Sequence, residues 1–90
     1  MNLSQLYYFK KLAELQHYTQ AAQELYITQP SLSGAIASLE SELGIQLFEK
    51  RGRNVYVTKY GREFYEYVCT SLRYLEAGIQ VAKEHAGALS

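Results

Sequence analysis

Thr28-Gln-Pro-Ser-Leu-Ser-Gly-Ala-Ile-Ala-Ser-Leu-Glu40 is the stretch that decides the fold. Leu32, Ile36, Leu39 and then Leu43 recur at helical spacing, so one face of this segment is built to be buried. Pro30 suits the first turn of a helix, where its missing N–H costs nothing. Gly44 follows Leu43 where a left-handed C-cap is expected. The opposite face offers Ser31, Ser33, Gly34, Ala35, Ala37 and Ser38. These side chains are small and uncharged, and they let another body come close to the helix backbone.

Working outward, Asn2 with Gln5 reads as a capping box. Leu6, Phe9, Leu12 and Ala13 then give an amphipathic helix ending near Leu15 or Gln16. His17-Tyr18 reads as a brief break. Thr19 is expected to cap a second helix, Gln20 to about Leu25, with Ala22 and Leu25 facing inward. Tyr26 to Gln29 makes a tight connection to the helix beginning at Pro30. Beyond Gly44, Ile45-Gln-Leu-Phe48 and Asn54-Val-Tyr-Val57 are short strand-like runs around Glu49-Lys-Arg-Gly-Arg53. Gly52 can take the positive φ of a hairpin tip. Thr58 then caps a long helix, Lys59 to about Ala86.

Along that last helix Val68, Leu72, Leu75, Ile79, Ala82 and Ala86 form a heptad seam. It amounts to about 40 Å of helix at 1.5 Å per residue. A three-helix core is too short to cover it, so dimerisation through Val68, Leu72, Leu75, Ile79 and Ala82 is expected. The fold class is therefore mainly α: a winged helix-turn-helix of three short helices and a two-stranded wing over residues 1–58, followed by a dimerisation helix over 59–90.

Ninety residues, 48% of them hydrophobic, make one small domain with a modest core. No apolar run nears the length that spans a bilayer, and the first residues do not read as a signal peptide. Cys69 is the single cysteine, which rules out an internal disulfide and fits a reducing cytosol; a cytoplasmic location is expected. The formal net charge is zero, but the charges are segregated. Leu12 to Phe48 holds glutamates and no lysine or arginine, whereas Glu49 to Arg62 holds Lys50, Arg51, Arg53, Lys59 and Arg62 against Glu49 alone.

A pair of short helices by itself is an ordinary motif of small domains. The basic hairpin directly after it shifts the reading towards DNA. Lys50, Arg51 and Arg53 are the candidate electrostatic anchors, against the ordinary reading of such a cluster as a solvated basic turn; arginine at a hairpin tip is suited to a narrow A·T-rich minor groove. Lys59 and Arg62 either touch phosphate or face solvent, and Gln20 either donates to a phosphate or is an ordinary exposed glutamine. Tyr7, Tyr8, Tyr18, Tyr26 and Tyr56 are read as structural, half-buried aromatics in preference to base-stacking platforms. His17, His85 and Cys69 lack metal-ligand spacing, no aspartate exists, and no nucleophile–base pair can be built. No metal, cofactor or enzymatic activity is expected.

Several blocks in one register carry a family resemblance: Thr19-Gln-Ala-Ala-Gln-Glu-Leu25, Thr28-Gln-Pro-Ser-Leu-Ser33, Leu39-Glu40, Glu42-Leu-Gly44, Leu47-Phe-Glu-Lys-Arg-Gly-Arg53, and Val57-Thr58 with Gly61. Together they resemble the N-terminal domain of LysR-type transcriptional regulators, closely from Leu3 to about Gly61 and more loosely beyond. The resemblance implies a recognition helix beginning at Pro30, a wing at about 49–54 reaching the minor groove, and a long helix pairing with that of a second chain. It also implies that a small-molecule effector acts only through a sensing domain absent from this sequence; the 90 residues are expected to be the DNA-binding part of a longer regulator.

On that reading the contacts to double-stranded DNA come from Gln20, Thr28, Gln29, Pro30, Ser31, Ser33, Gly34, Lys50, Arg51 and Arg53. Serine hydroxyls donate to phosphates or base edges, and Gln29 can pair bidentately with adenine. The family often has arginine after the second serine; here Gly34-Ala35 stands instead, and glycine costs about 1 kcal/mol in a helix interior. Weaker direct readout with more weight on DNA shape follows. The zero net charge and Gly34-Ala35 motivate a second reading, a winged-helix module for dimerisation and protein interaction without DNA binding.

Overall fold

Asn2 Oδ1 accepts from the Gln5 amide at 2.9 Å while Gln5 Oε1 accepts from the Asn2 amide at 2.9 Å, so the expected capping box starts the first helix. In the computed structural model, which describes residues 1–88, the order is α1 (Leu3–Leu15), α2 (Tyr18–Leu25), α3 (Gln29–Leu43), β1 (Phe48–Arg51), β2 (Asn54–Val57) and α4 (Lys59–Ala88). This is the winged helix-turn-helix with a long fourth helix that the pattern predicts.

The second helix starts earlier than its sequence suggests. His17, in extended backbone, caps it by accepting from the Gln20 amide through Nδ1 at 3.0 Å. Thr19 therefore lies inside the first turn, its hydroxyl released for another partner. Gln16 and Tyr26 end α1 and α2 in the left-handed region, at φ 50° and 59°. Gln16 offsets this unusual backbone by accepting from the Val57 amide at 3.1 Å, which ties α1 to β2. Gly44, at φ 75°, closes α3 as expected.

α1 is the hub of the core. Phe9 is fully buried, its ring centroid 5.6 Å from that of Phe48 and 5.2 Å from that of Phe64. Leu12, Leu32, Ile36, Leu39 and Leu47 complete the buried interior, with Ala21 and Ala22 letting α2 lie close. Burial of each large apolar side chain contributes roughly 1.5–3 kcal/mol. Gly61 sits where α4 crosses the loop before β1. A Cβ there would run into the Leu47 carbonyl oxygen and stand 2.9 Å from Val57 Cγ1.

The wing begins later than expected. Ile45 to Leu47 do not join the ladder, and the backbone of Gln46 and Leu47 is bonded elsewhere: the Thr58 hydroxyl donates to the Gln46 carbonyl at 2.7 Å. Glu40 Oε2 accepts from the Leu47 amide at 2.7 Å and the Phe48 amide at 3.1 Å, and the Leu47 carbonyl accepts from the Thr58 amide at 2.9 Å. The strands pair antiparallel with Phe48 opposite Val57, Glu49 opposite Tyr56, Lys50 opposite Val55 and Arg51 opposite Asn54. Gly52, at φ 63°, turns the tip.

α4 divides its apolar positions between two tasks. Val68 and Leu72 are 3% and 2% exposed within the single chain, packed in the core with Phe64 and Tyr65 beside them. This corrects the expectation that they serve a dimer seam: the first half of α4 is the fourth wall of the domain. The core therefore crosses the division expected at 58/59. Leu75 and Ile79 are 39% and 44% exposed, and Ala82 and Ala86 are exposed too. Hydrogen bonds from Tyr7 to Glu76 (3.1 Å) and from Tyr65 to Glu14 (2.8 Å) fix α4 along α1.

Candidate nucleic-acid interface

Thr28 sets the geometry of the site. Its Oγ1 accepts from the Ser31 amide at 3.2 Å and donates to Ser31 Oγ at 2.8 Å, which makes it the N-cap of α3. Gln29 and Pro30 thus occupy the first turn, one residue earlier than expected. Gln29, Pro30, Ser31 and Gly34 are exposed, as are Ala37 and Ser38 further along, while Ser33 is half-buried. A Cβ at Gly34 would meet nothing within 4 Å, so the ridge is open there. The first-turn N–H groups and the helix dipole make this end of α3 attractive to anions.

The hairpin stands beside this end. Residues directly opposite across an antiparallel pair share a face. Lys50 therefore shares the inner face with the buried Val55, and its Nζ lies 5.4 Å from the centroid of the Tyr18 ring. Burial, with the charge of Glu40 adding to it, raises the pKa of the Tyr18 phenol, so that ring stays neutral. Arg53, just past the tip, joins Lys50, Tyr18, Thr19 and Gln29 in lining a groove of about 280 Å³ between the wing and the helix pair.

Arg51 is placed otherwise. It shares the outer face with Glu49 and Tyr56, where Nη2 bonds Glu49 Oε1 at 2.5 Å and the guanidinium lies 5.3 Å from the Tyr56 ring centroid. The structure thus brings Lys50 and Arg53 to the groove and turns Arg51 away from it. The alternation of a hairpin, 50 in and 51 out, held that distinction. Gln20 is exposed, and its Nε2 donates to Glu24 at 3.4 Å. Arg62 lies against Glu14, Val57 and Tyr65, on the α1 side of the molecule, and Lys59 is exposed.

Tyrosines did not all follow expectation. Tyr7, Tyr8 and Tyr18 are half-buried, but Tyr56 is exposed on the outer face of the wing and Tyr26, at the left-handed cap of α2, is 94% exposed. A second exposed row was missed on α4. Tyr60, Tyr67, Tyr74 and Val81 recur every seventh residue and are 57%, 75%, 78% and 52% exposed. Their spacing was the available signal. Among the described residues no group of acidic, histidine or cysteine side chains is arranged to hold a metal, and no helix is long and apolar enough to cross a membrane.

The comparisons bear on this arrangement directly. The family model for the bacterial regulatory helix-turn-helix protein, lysR family, matches residues 3–62. The uncharacterized HTH-type transcriptional regulator YybE of Bacillus subtilis is 50% identical over 64 residues, 71% of this chain and 22% of that protein. The HTH-type transcriptional regulator BenM of Acinetobacter baylyi is 42% identical over 86 residues, 96% of this chain and 28% of its own length. The chain thus spans under a third of either relative. Among solved structures, the BenM DNA-binding domain in complex with catB site 1 DNA superposes with a TM-score of 0.92 at 40% identity, covering all of this chain and 97% of that one. Full-length BenM matches with a TM-score of 0.85 at 42% identity over 92% of this chain and 27% of that one. With the family model matching from α1 into the start of α4, and a closely similar backbone in BenM, the chain belongs to the LysR family of bacterial regulatory helix-turn-helix proteins.

Proposed function

We propose that this chain is a sequence-specific DNA-binding domain that works as a homodimer in transcription control. The observation that carries the reading is the juxtaposition of Lys50 and Arg53 with the bare N-terminal ridge of α3 across one groove. A duplex whose major groove takes the ridge of Gln29, Pro30, Ser31, Ser33 and Gly34 lays its flanking backbone against these two cations. Thr28 orders the helix end, and Gln20 stands beside it as a further phosphate donor. Arg51, occupied by Glu49 and Tyr56, contributes less than its neighbours.

The likeness to the BenM domain bound to DNA supports this docking. Residues 1–58 then carry recognition, and the part of 59–90 beyond the core carries pairing. Leu75, Ile79 and Ala82 form its seam, flanked by Tyr67, Tyr74 and Val81. An effector would act through a sensing domain of the full regulator, in the cytoplasm. The family consists of regulators, and catalysis has no place in the reading.

Selection of bound sequences from random duplex DNA tests it. Enrichment of an interrupted palindrome, with half-sites about one or two helical turns apart (34 Å per turn), supports the dimer on DNA. No enrichment by a folded dimer favours the protein-interaction module instead.

A further inference from the structure

Glu40 joins two parts of the site that lie on different elements. From the last turn of α3 its Oε2 accepts from the Leu47 amide at 2.7 Å and from the Phe48 amide at 3.1 Å, where β1 begins. Neither assignment is open: a backbone amide only donates, and an ionised carboxylate only accepts. Both bonds are partly buried and charge-assisted, the stronger kind. Among the described residues no other hydrogen bond runs from α3 to the wing. The other bonds at the base of the wing lead elsewhere: Gln16, at the end of α1, accepts from the Val57 amide, and Thr58 bonds the Gln46 and Leu47 carbonyls. Burial of Phe48 and Val55 holds the hairpin on the core, and that force is non-directional. Both arms of the clasp are short and regular. Glu40 lies six residues, about 9 Å of helix, beyond Gly34 of the ridge. Lys50 stands two residues beyond Phe48, on the same face of β1.

We propose that Glu40 is a positioning residue for DNA binding: its clasp on the Leu47 and Phe48 amides fixes the wing at the distance from α3 at which one duplex meets Lys50 and Arg53 as well as the ridge. This rests on the DNA-binding reading above. Glu40 acts through the wing backbone and touches no DNA itself. The sign of its effect sets it apart from an ordinary surface charge. A carboxylate near a DNA site repels phosphate, so its removal ordinarily tightens binding. Here removal frees the wing and weakens binding.

The test compares wild type with Glu40→Ala, Glu40→Asp and Glu40→Gln, each shown folded by circular dichroism, in titrations of the selected duplex over a salt series. Glutamine keeps an acceptor oxygen at full reach without the charge; aspartate keeps the charge one methylene short. Glu40→Ala and Glu40→Asp should weaken binding and lower the slope of log K against log salt by up to about two, the share of Lys50 and Arg53. Base preference along the ridge should stay as in wild type. Adding Lys50→Ala to either variant should then have little further effect, since that cation no longer meets the DNA backbone. Glu40→Gln should keep the wild-type slope. Where alanine, which strands two amides, does not fold, aspartate carries the same comparison. A glutamate that only stabilises the fold leaves the slope of the folded protein alone. A wild-type slope in Glu40→Ala or Glu40→Asp, with Lys50→Ala still felt in full, therefore overturns the proposal, as does an equal loss of slope in Glu40→Gln. Absence of any DNA binding by wild type would instead overturn the functional reading, and this proposal with it.

Discussion

Lys50 Nζ stands 5.4 Å above the ring of Tyr18, so the inner cation of the wing is moored to the first residue of α2. Such a contact is worth about 0.5–1 kcal/mol at an exposed site. It holds a charge at the groove without neutralising it, since an aromatic face supplies no counter-charge. Arg51, one residue on, is matched by a carboxylate. Neighbours in sequence thus differ in what they can offer a phosphate.

That difference can be read from salt dependence. Lys50→Ala and Arg53→Ala should each weaken binding on every duplex and lower the slope of log K against log salt by about one. Arg51→Ala should leave the slope nearly unchanged. Equal slopes for all three variants would mean that the groove does not mark the path of the backbone.

The dimer seam is expected to start after Leu72. Ile79→Glu should leave the domain folded, because the position is 44% exposed, and convert dimer to monomer in sedimentation. Leu72→Glu should lose the far-UV helical signal at ambient temperature, since a charge placed at a 2% exposed site has no partner there. A folded, monomeric Leu72→Glu protein would return this residue to the interface.

Glycines 34 and 61 should respond in opposite directions. Gly34→Ala has open space and an ordinary helical backbone, so stability should rise by up to about 1 kcal/mol. Gly61→Ala meets the Leu47 carbonyl, and should cost at least about 1–3 kcal/mol as overpacking does. Urea midpoints measure both; a neutral Gly61→Ala would show that α4 can slide off the wing without cost.

Glu14 gives the fold an acid-side dependence. Its burial alone would raise the carboxyl, but hydrogen bonds from Lys10 and Tyr65 outweigh that and hold it below its ordinary value of 4.5. A lowered folded-state value means that the unfolded chain takes up the proton first. The contribution is complete above 4.5 and fades as pH falls through the folded-state value. Glu14→Gln should therefore be less stable than wild type near neutrality, and the gap in urea midpoint should shrink on acidification. A gap constant with pH would assign the loss to packing.

Much of this was legible in the residues. Period and caps sufficed for α1, α3 and Gly44, because Leu32, Ile36 and Leu39 are buried locally and their spacing alone reports it. Where a position has two possible partners, sequence spacing could not decide. By residue type Thr19 is the better cap, yet His17 caps α2 and the Thr19 hydroxyl bonds Gln29, a neighbour ten residues on that local spacing does not reveal. The regular seam from Val68 to Ala86 gave no sign of where α1 stops covering it. The distinction between Lys50 and Arg51 needed the register of the hairpin, which Val55 and Phe48 fix by facing the core.

The central claim is that a duplex takes the ridge of α3 in its major groove and lays its flanking backbone against Lys50 and Arg53. Fluorescence anisotropy of a labelled duplex bearing the selected palindrome, titrated with wild-type protein over a salt series, tests it most directly. The account predicts saturable binding whose log K falls linearly and steeply with log salt, as several released counterions require. Failure to saturate at low salt, by protein shown to be folded and dimeric in the same buffer, would contradict it.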